Sequence, residues 1–217
     1  DGRLWTIGES GSLYRTDRTG DWAQVGGDGD WAGTRFLTAL DGALWTIEES
    51  GGLFRTAPDG TWTQIGDSAD WADTIAMVGM DRHLWTIEKG GALYRTAQDG
   101  RWEPVGGEAA WADTRFMVSL DGEIWTIEAA GNLYRTSQSG VWREVGASND
   151  WAGTMHAAGA EGYLWTIEES GALCRTDKSG GWEPVVEAAD WGETRLLAAM
   201  DGALWTLEHD GSLYRTS

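Results

Sequence analysis

A hairpin of the form "LWTIEESGGLFRT" occurs six times along the chain, starting at Leu4, Leu44, Leu84, Ile124, Leu164 and Leu204, each start forty residues after the last. A period of that length sets the architecture. A forty-residue unit is too thin to bury its own aromatic rings, so successive copies must pack on one another to make a core. The repeat leaves no linker between segments, and residues 1–217 are expected to form a single domain.

One full unit, from Thr34, reads "TRFLTAL", "DG", "ALWTIE", "ESGG", "LFRT", "APDG", "TWTQIG" and "DSADWAD" before Thr74 restarts the pattern. Four short runs rich in Leu, Ile, Val, Thr and aromatics alternate with Gly, Asp, Ser and Pro, which tolerate turn dihedrals. Asp41-Gly42 is a two-residue hairpin turn, while Asp67–Asp73 is the longest connection of the unit. Three tight hairpins and one long return describe a propeller blade, so the expected fold is all-β, a β-propeller of four-stranded antiparallel blades built from 40-residue repeats. Small residues (Ala39, Gly79, Ser119, Gly159, Ala199) mark the inner strand, where blades crowd the axis. Tryptophans on the second strand (Trp5, Trp45, Trp85, Trp125, Trp165, Trp205) and fourth strand (Trp22, Trp62, Trp102, Trp142, Trp182) are expected to fill the widening blade.

The blade count needs an argument, because six hairpins accompany only five inner and five outer strands. A five-bladed ring would leave Trp205 and Leu213 unhoused, forfeiting several kcal/mol at ~25 cal/mol per Å². Six blade positions are therefore favoured, with five as the alternative. The missing strands would come from flanking sequence in a larger parent chain or from a neighbouring copy in a homo-oligomer.

Asp and Glu number 35 against 16 Lys and Arg, a net charge of −19 that repels nucleic acid and anionic membrane surfaces. Apolar runs are strand-sized, far short of the ~20 residues of a membrane-spanning helix, and no leader segment is read at the start, so a soluble protein is expected. The single cysteine, Cys174, stands where the other units carry Tyr14, Phe54, Tyr94, Tyr134 and Tyr214; it reads as a buried filler and leaves the redox compartment undetermined.

One tryptophan class lies outside the strands: Trp31, Trp71, Trp111, Trp151 and Trp191, in the long return loop. Asp30, Asp70, Asp150 and Asp190 precede it, and Thr34, Thr74, Thr114, Thr154 and Thr194 follow three residues later; Ala110 replaces the carboxylate in one unit. An indole beside carboxylate and hydroxyl suits a sugar, whose C–H face packs on aromatics while its hydroxyls need fixed partners. The same residues also read as wedges between blades whose polar side chains satisfy loop amides, and one ring can serve both ends. Glu48, Glu88, Glu128 and Glu168, with Glu208, close the second strand as turn partners or sugar-hydroxyl acceptors.

Five equal carboxylates spread over five blades do not make a catalytic centre, which needs a few differently tuned groups at one bond; no enzyme activity is expected. His83, His156 and His209 occupy unrelated slots and indicate neither a metal cage nor a triad. Arg15, Arg55, Arg95, Arg135, Arg175 and Arg215 are expected to pair with nearby acids, and Arg35, Arg115 and Arg195 to modulate individual return loops. The turns "TDRTGDW" and "TAPDGTW" resemble the structural Asp-box turn of sialidase-type propellers.

The order "W..(V/I)G....W..T", an apolar strand, then "G.LWTI....G.LYRT" resembles the tachylectin-type lectins, at Trp62, Ile65, Gly66, Trp71, Trp85 and Tyr94 and their equivalents along the whole chain. The paired "G.LW" and "G.LY" strands are also similar to tectonin-type six-bladed lectins. Both resemblances imply glycan or glycoconjugate partners bound at equivalent sites between blades, near the return loops; no cofactor is expected. A multivalent lectin is the leading expectation, secreted or at the cell surface. A protein-interaction scaffold, or a targeting domain of a larger toxin or surface protein, is the alternative.

Overall fold

The computed structural model describes residues 2–66, 69–107, 109–186 and 190–216; Asp67 and Ser68, at the head of the expected return loop, lie outside the described residues. Among the described residues there is no helix, and the strands form six antiparallel sheets. The fold is a six-bladed β-propeller. Blades two to five have the four expected strands; the third, for example, runs Thr74–Met80, His83–Glu88, Leu93–Thr96 and Trp102–Val105, here called inner, second, third and outer. Among the described residues the first blade (Leu4–Ile7, Leu13–Thr16, Trp22–Val25) has no inner strand, and the sixth (Thr194–Met200, Ala203–Glu208, Leu213–Arg215) has no outer one. The last hairpin pairs with its own inner strand and buries Trp205, so the five-bladed alternative is set aside.

Hairpin chemistry sets the register. Asp41 and Gly42 both take positive φ, 48° and 74°, as a two-residue turn matched to strand twist requires. In blades two to six a bulge follows the first residue of the inner strand, between Thr74 and Ala76 in the third. That residue stays paired with the Glu ending the second strand: Thr34 with Glu48, Thr74 with Glu88, Thr114 with Glu128, Thr154 with Glu168 and Thr194 with Glu208.

The chain divides into two compact units, Asp1–Ala112 and Asp113–Ser217. In the first, one face of the second blade (Trp45, Ile47, Leu53) packs with Leu84 of the third, and Trp71 is inserted in the same cluster. In the second unit, Trp125, Ile127 and Leu133 of the fourth blade meet Leu164 of the fifth with Trp151 between them. The inner strands of the second and third blades touch, as do those of the fourth and fifth and of the fifth and sixth. A Cβ added at Gly79 would sit 2.6 Å from the Ala39 carbonyl oxygen, and one at Gly159 equally close to that of Ser119, so the small residues of this strand are there for fit.

The outer-strand tryptophans do not fill the blade. Trp22, Trp62, Trp102, Trp142 and Trp182 are 42% to 56% exposed, because each begins a strand with no further neighbour to cover its ring. The second-strand Trp45, Trp85, Trp125 and Trp205 are buried, as expected.

Candidate ligand-binding site

The return loop is positioned by two glycines of the unit before it. The Trp71 amide donates to the Gly51 carbonyl at 3.2 Å, and Gly51, at φ 82°, could carry no Cβ without meeting Ala72 N at 2.6 Å. The tip of the indole lies on Gly66, where a Cβ would be 2.6 Å from Trp71 Cη2. This explains the spacing "IG....W": the glycine is the floor on which the ring rests. Trp31, Trp111, Trp151 and Trp191 anchor their amides in the same way, on Gly11, Gly91, Gly131 and Gly171.

These rings are mostly out of reach of solvent. Trp31, Trp71, Trp111 and Trp151 are buried and Trp191 is half-buried, and the Trp151 Nε1 donates to Thr176 Oγ1 at 3.2 Å. The neighbouring carboxylates, Asp30, Asp70, Asp150 and Asp190, are exposed. Asp30 accepts the Gly27 amide at 2.9 Å, a loop-bracing contact.

Thr and Glu candidates are brought together as cross-strand partners. The Thr74 hydroxyl donates to Glu88 at 3.1 Å, Thr154 to Glu168 at 3.2 Å and Thr194 to Glu208 at 3.3 Å. The hydroxyls of Thr34 and Thr114, opposite Glu48 and Glu128, are buried with no hydrogen-bond partner. Burial pushes the Glu88 carboxyl above its ordinary value; the Thr74 hydroxyl opposes this, the Asp73 charge adds to it and Arg35 opposes it.

Between the second and third blades these groups open onto a cavity of about 340 Å³. The return loop contributes Asp70, Trp71 and Asp73, the second strand Thr86 and Glu88. Tyr94 and Trp102 close the outer side, joined edge to face with centroids 5.3 Å apart. Positions 120 residues further on (Asp190, Trp191, Glu193, Thr206, Glu208, Tyr214) line a second cavity of about 770 Å³ in the second unit, where no outer strand stands among the described residues at the place of Trp102. Carboxylates, hydroxyls and aromatic rings converging on one crevice can hold a small polar ligand with an apolar face.

Trp102 was expected to fill the blade and Tyr94 to sit on the third strand, and neither was a candidate binding residue by sequence. Their signal lies in Glu103 and Pro104, a charge and a residue without an N–H beside the ring, which mark an edge strand and hence an uncovered tryptophan.

No family model matches the sequence, and no curated protein does. Solved structures share its fold: a streptogramin B lyase (TM-score 0.67, 14% identity, 100% of this chain and 80% of that one), YCF48 bound to D1 peptide (0.65, 19%, 99% and 75%) and BamB from Moraxella catarrhalis (0.56, 14%, 99% and 66%). At such identities the likeness is one of fold: the β-propeller, on which enzymes and other proteins alike are built.

The flanking arginines tie blade to blade. Arg35 donates to the carbonyls of Ala72 and Thr74 at 2.8 and 3.0 Å, and Arg115 to those of Ala152 and Thr154 at 3.1 and 2.7 Å. Of the third-strand arginines, Arg95 pairs with Glu103, Arg135 with Glu123 and Arg175 with Glu183, as expected. The Asp-box-like turns are braced by carboxylates from two different positions: Asp17 accepts the Thr19 amide at 2.8 Å, Asp59 that of Thr61 at 3.0 Å.

Proposed function

We propose that the protein binds carbohydrate without catalysis, as a multivalent lectin whose sites lie between blades beside the return loops. The observation that carries this reading is the third-blade crevice, where the half-exposed Trp102 stands across from Asp70, Asp73, Glu88 and Thr86. A pyranose would lay its C–H face on the indole and direct hydroxyls to the carboxylates. Trp71 offers an edge to the ligand and seals the floor. Weak sites repeated on one scaffold raise avidity on a glycan surface by about 10²–10⁴. Such a role places the protein outside the cell or on its surface.

A glycan array tests the reading. The wild-type chain is expected to bind a defined sugar set, and a Trp102→Ala, Trp142→Ala double variant, folded by circular dichroism, to lose most of that signal. Silence of the wild type across the array would overturn it.

A second reading, a peptide-binding propeller, draws on the neighbour bound to a peptide and on the third strand of the sixth blade, Leu213–Arg215, which has no partner strand on its outer side among the described residues. Array silence together with binding of an extended peptide would favour it.

A further inference from the structure

The charge inventory of the third-blade crevice bears on which sugars it would take. Three carboxylates, Asp70, Asp73 and Glu88, line it, and no lysine or arginine does among the described residues. Arg35, whose charge reaches Glu88, directs its guanidinium at the Ala72 and Thr74 carbonyls. The net charge of −19 deepens the negative potential around the crevice. The aromatic wall works in the same direction, since the faces of Trp102 and Tyr94 attract cations.

A second observation is independent of charge. Thr86 is fully buried, lines the crevice, and its hydroxyl has no hydrogen-bond partner. A buried hydroxyl left unpaired is costly, and a ligand hydroxyl reaching it would remove that cost. The crevice thus offers an unmet polar contact at its base, carboxylates on one side and rings on the other.

We propose that this crevice selects sugars bearing a free ammonium group, unacetylated amino sugars, over their N-acetylated and anionic counterparts. The inference rests on the glycan-binding reading and adds the class of sugar. The ammonium sits between the carboxylates of Asp73 and Glu88, the ring lies against Trp102, and a hydroxyl meets Thr86 Oγ1. Acetylation removes the positive charge and leaves carboxylates facing a neutral amide, while a uronic acid adds like charge.

The test is calorimetric titration of the full chain with a glucosamine tetrasaccharide, its fully N-acetylated form and a galacturonate tetrasaccharide. The amine form is expected to bind about tenfold or more tightly than the acetylated one, with no measurable galacturonate binding. Asp73→Asn alone and Asp73→Asn with Glu88→Gln, each made together with Glu193→Gln and Glu208→Gln in the matching sixth-blade cavity and checked for unchanged thermal unfolding, should bring the amine-to-acetyl ratio toward one. Glu144→Gln, a surface carboxylate of the fourth blade, should leave it unchanged. A ratio that survives both crevice variants assigns the preference to overall charge and overturns the proposal. Equal or tighter binding of the acetylated form overturns it too, while leaving the glycan reading standing. Absence of binding by all three, with signal elsewhere on the array, overturns the amine preference alone.

Discussion

Tyr94 and Trp102 meet edge to face across the outer strand pair of the third blade, ring planes at 89°, and Phe54 with Trp62 and Tyr134 with Trp142 repeat the arrangement at 80° and 86°. Even so paired, Trp102 stays 54% exposed. Trp102→Ala should cost about 0.5–1.5 kcal/mol for the lost ring pair beyond the area uncovered, whereas Trp85→Ala, a cavity in the core, should cost about 3–5 kcal/mol. Denaturant unfolding of the two variants checks the difference.

Gly79→Ala puts a methyl against the Ala39 carbonyl, backbone that cannot swing aside. The inner strands of the second and third blades must separate, at about 1–3 kcal/mol. Gly33→Ala, with open space at its Cβ, should stay within about 0.5 kcal/mol of wild type in the same measurement.

Arg35→Ala removes two donors from the return loop of the next blade, at about 1 kcal/mol each. Arg101→Ala, which breaks an exposed pair with Asp99, should fall within about 0.5 kcal/mol. Hydrogen exchange should quicken around Ala72–Thr74 in the first variant only.

His156 donates Nε2–H to the Thr194 carbonyl at 2.9 Å, and its pKa lies below the ordinary histidine value, chiefly because burial disfavours the charged ring. The folded state therefore takes up a proton less readily than the unfolded one. Its contribution is whole above the unfolded value near 6.5 and declines as pH falls from there toward the folded pKa. Melting temperature measured from pH 8 to pH 5 should fall less steeply for His156→Phe, the residue at equivalent positions 36 and 116.

Cys174 is buried and its thiol is raised to about 11 by burial and, less, by the charge of Glu168. Thiolate is the reactive form, so a disulfide reagent at pH 8 should label the chain only under unfolding conditions. Labelling at the rate of a free thiol in native buffer would contradict the burial.

Most of the blade was legible because period and turn chemistry agree: Asp41-Gly42 closes a hairpin, Gly79 marks the inner strand, and the hairpin count favours six sheets over five. What sequence could not rank was one tryptophan against another. Trp71, read both as a sugar platform and as a wedge between blades, is buried on Gly66; Trp102, assigned to filling, is half-exposed. Both are single rings beside a charged residue, Asp70 or Arg101, and only the neighbouring strand decides which is wet. The pairing of Thr74 with Glu88 was equally hidden, since the two are fourteen residues apart and a bulge sets their register.

Each return-loop tryptophan anchors its amide on a glycine twenty residues before it, and Trp31, Trp71 and Trp151 also rest their rings on a second, Gly26, Gly66 and Gly146. The joint between neighbours is thus encoded once per period. Recombination that inserts or deletes a whole period keeps each tryptophan in step with its anchoring glycine, whereas an out-of-phase event strands an aromatic in water. Genes for such chains should therefore grow and shrink in quanta of one period.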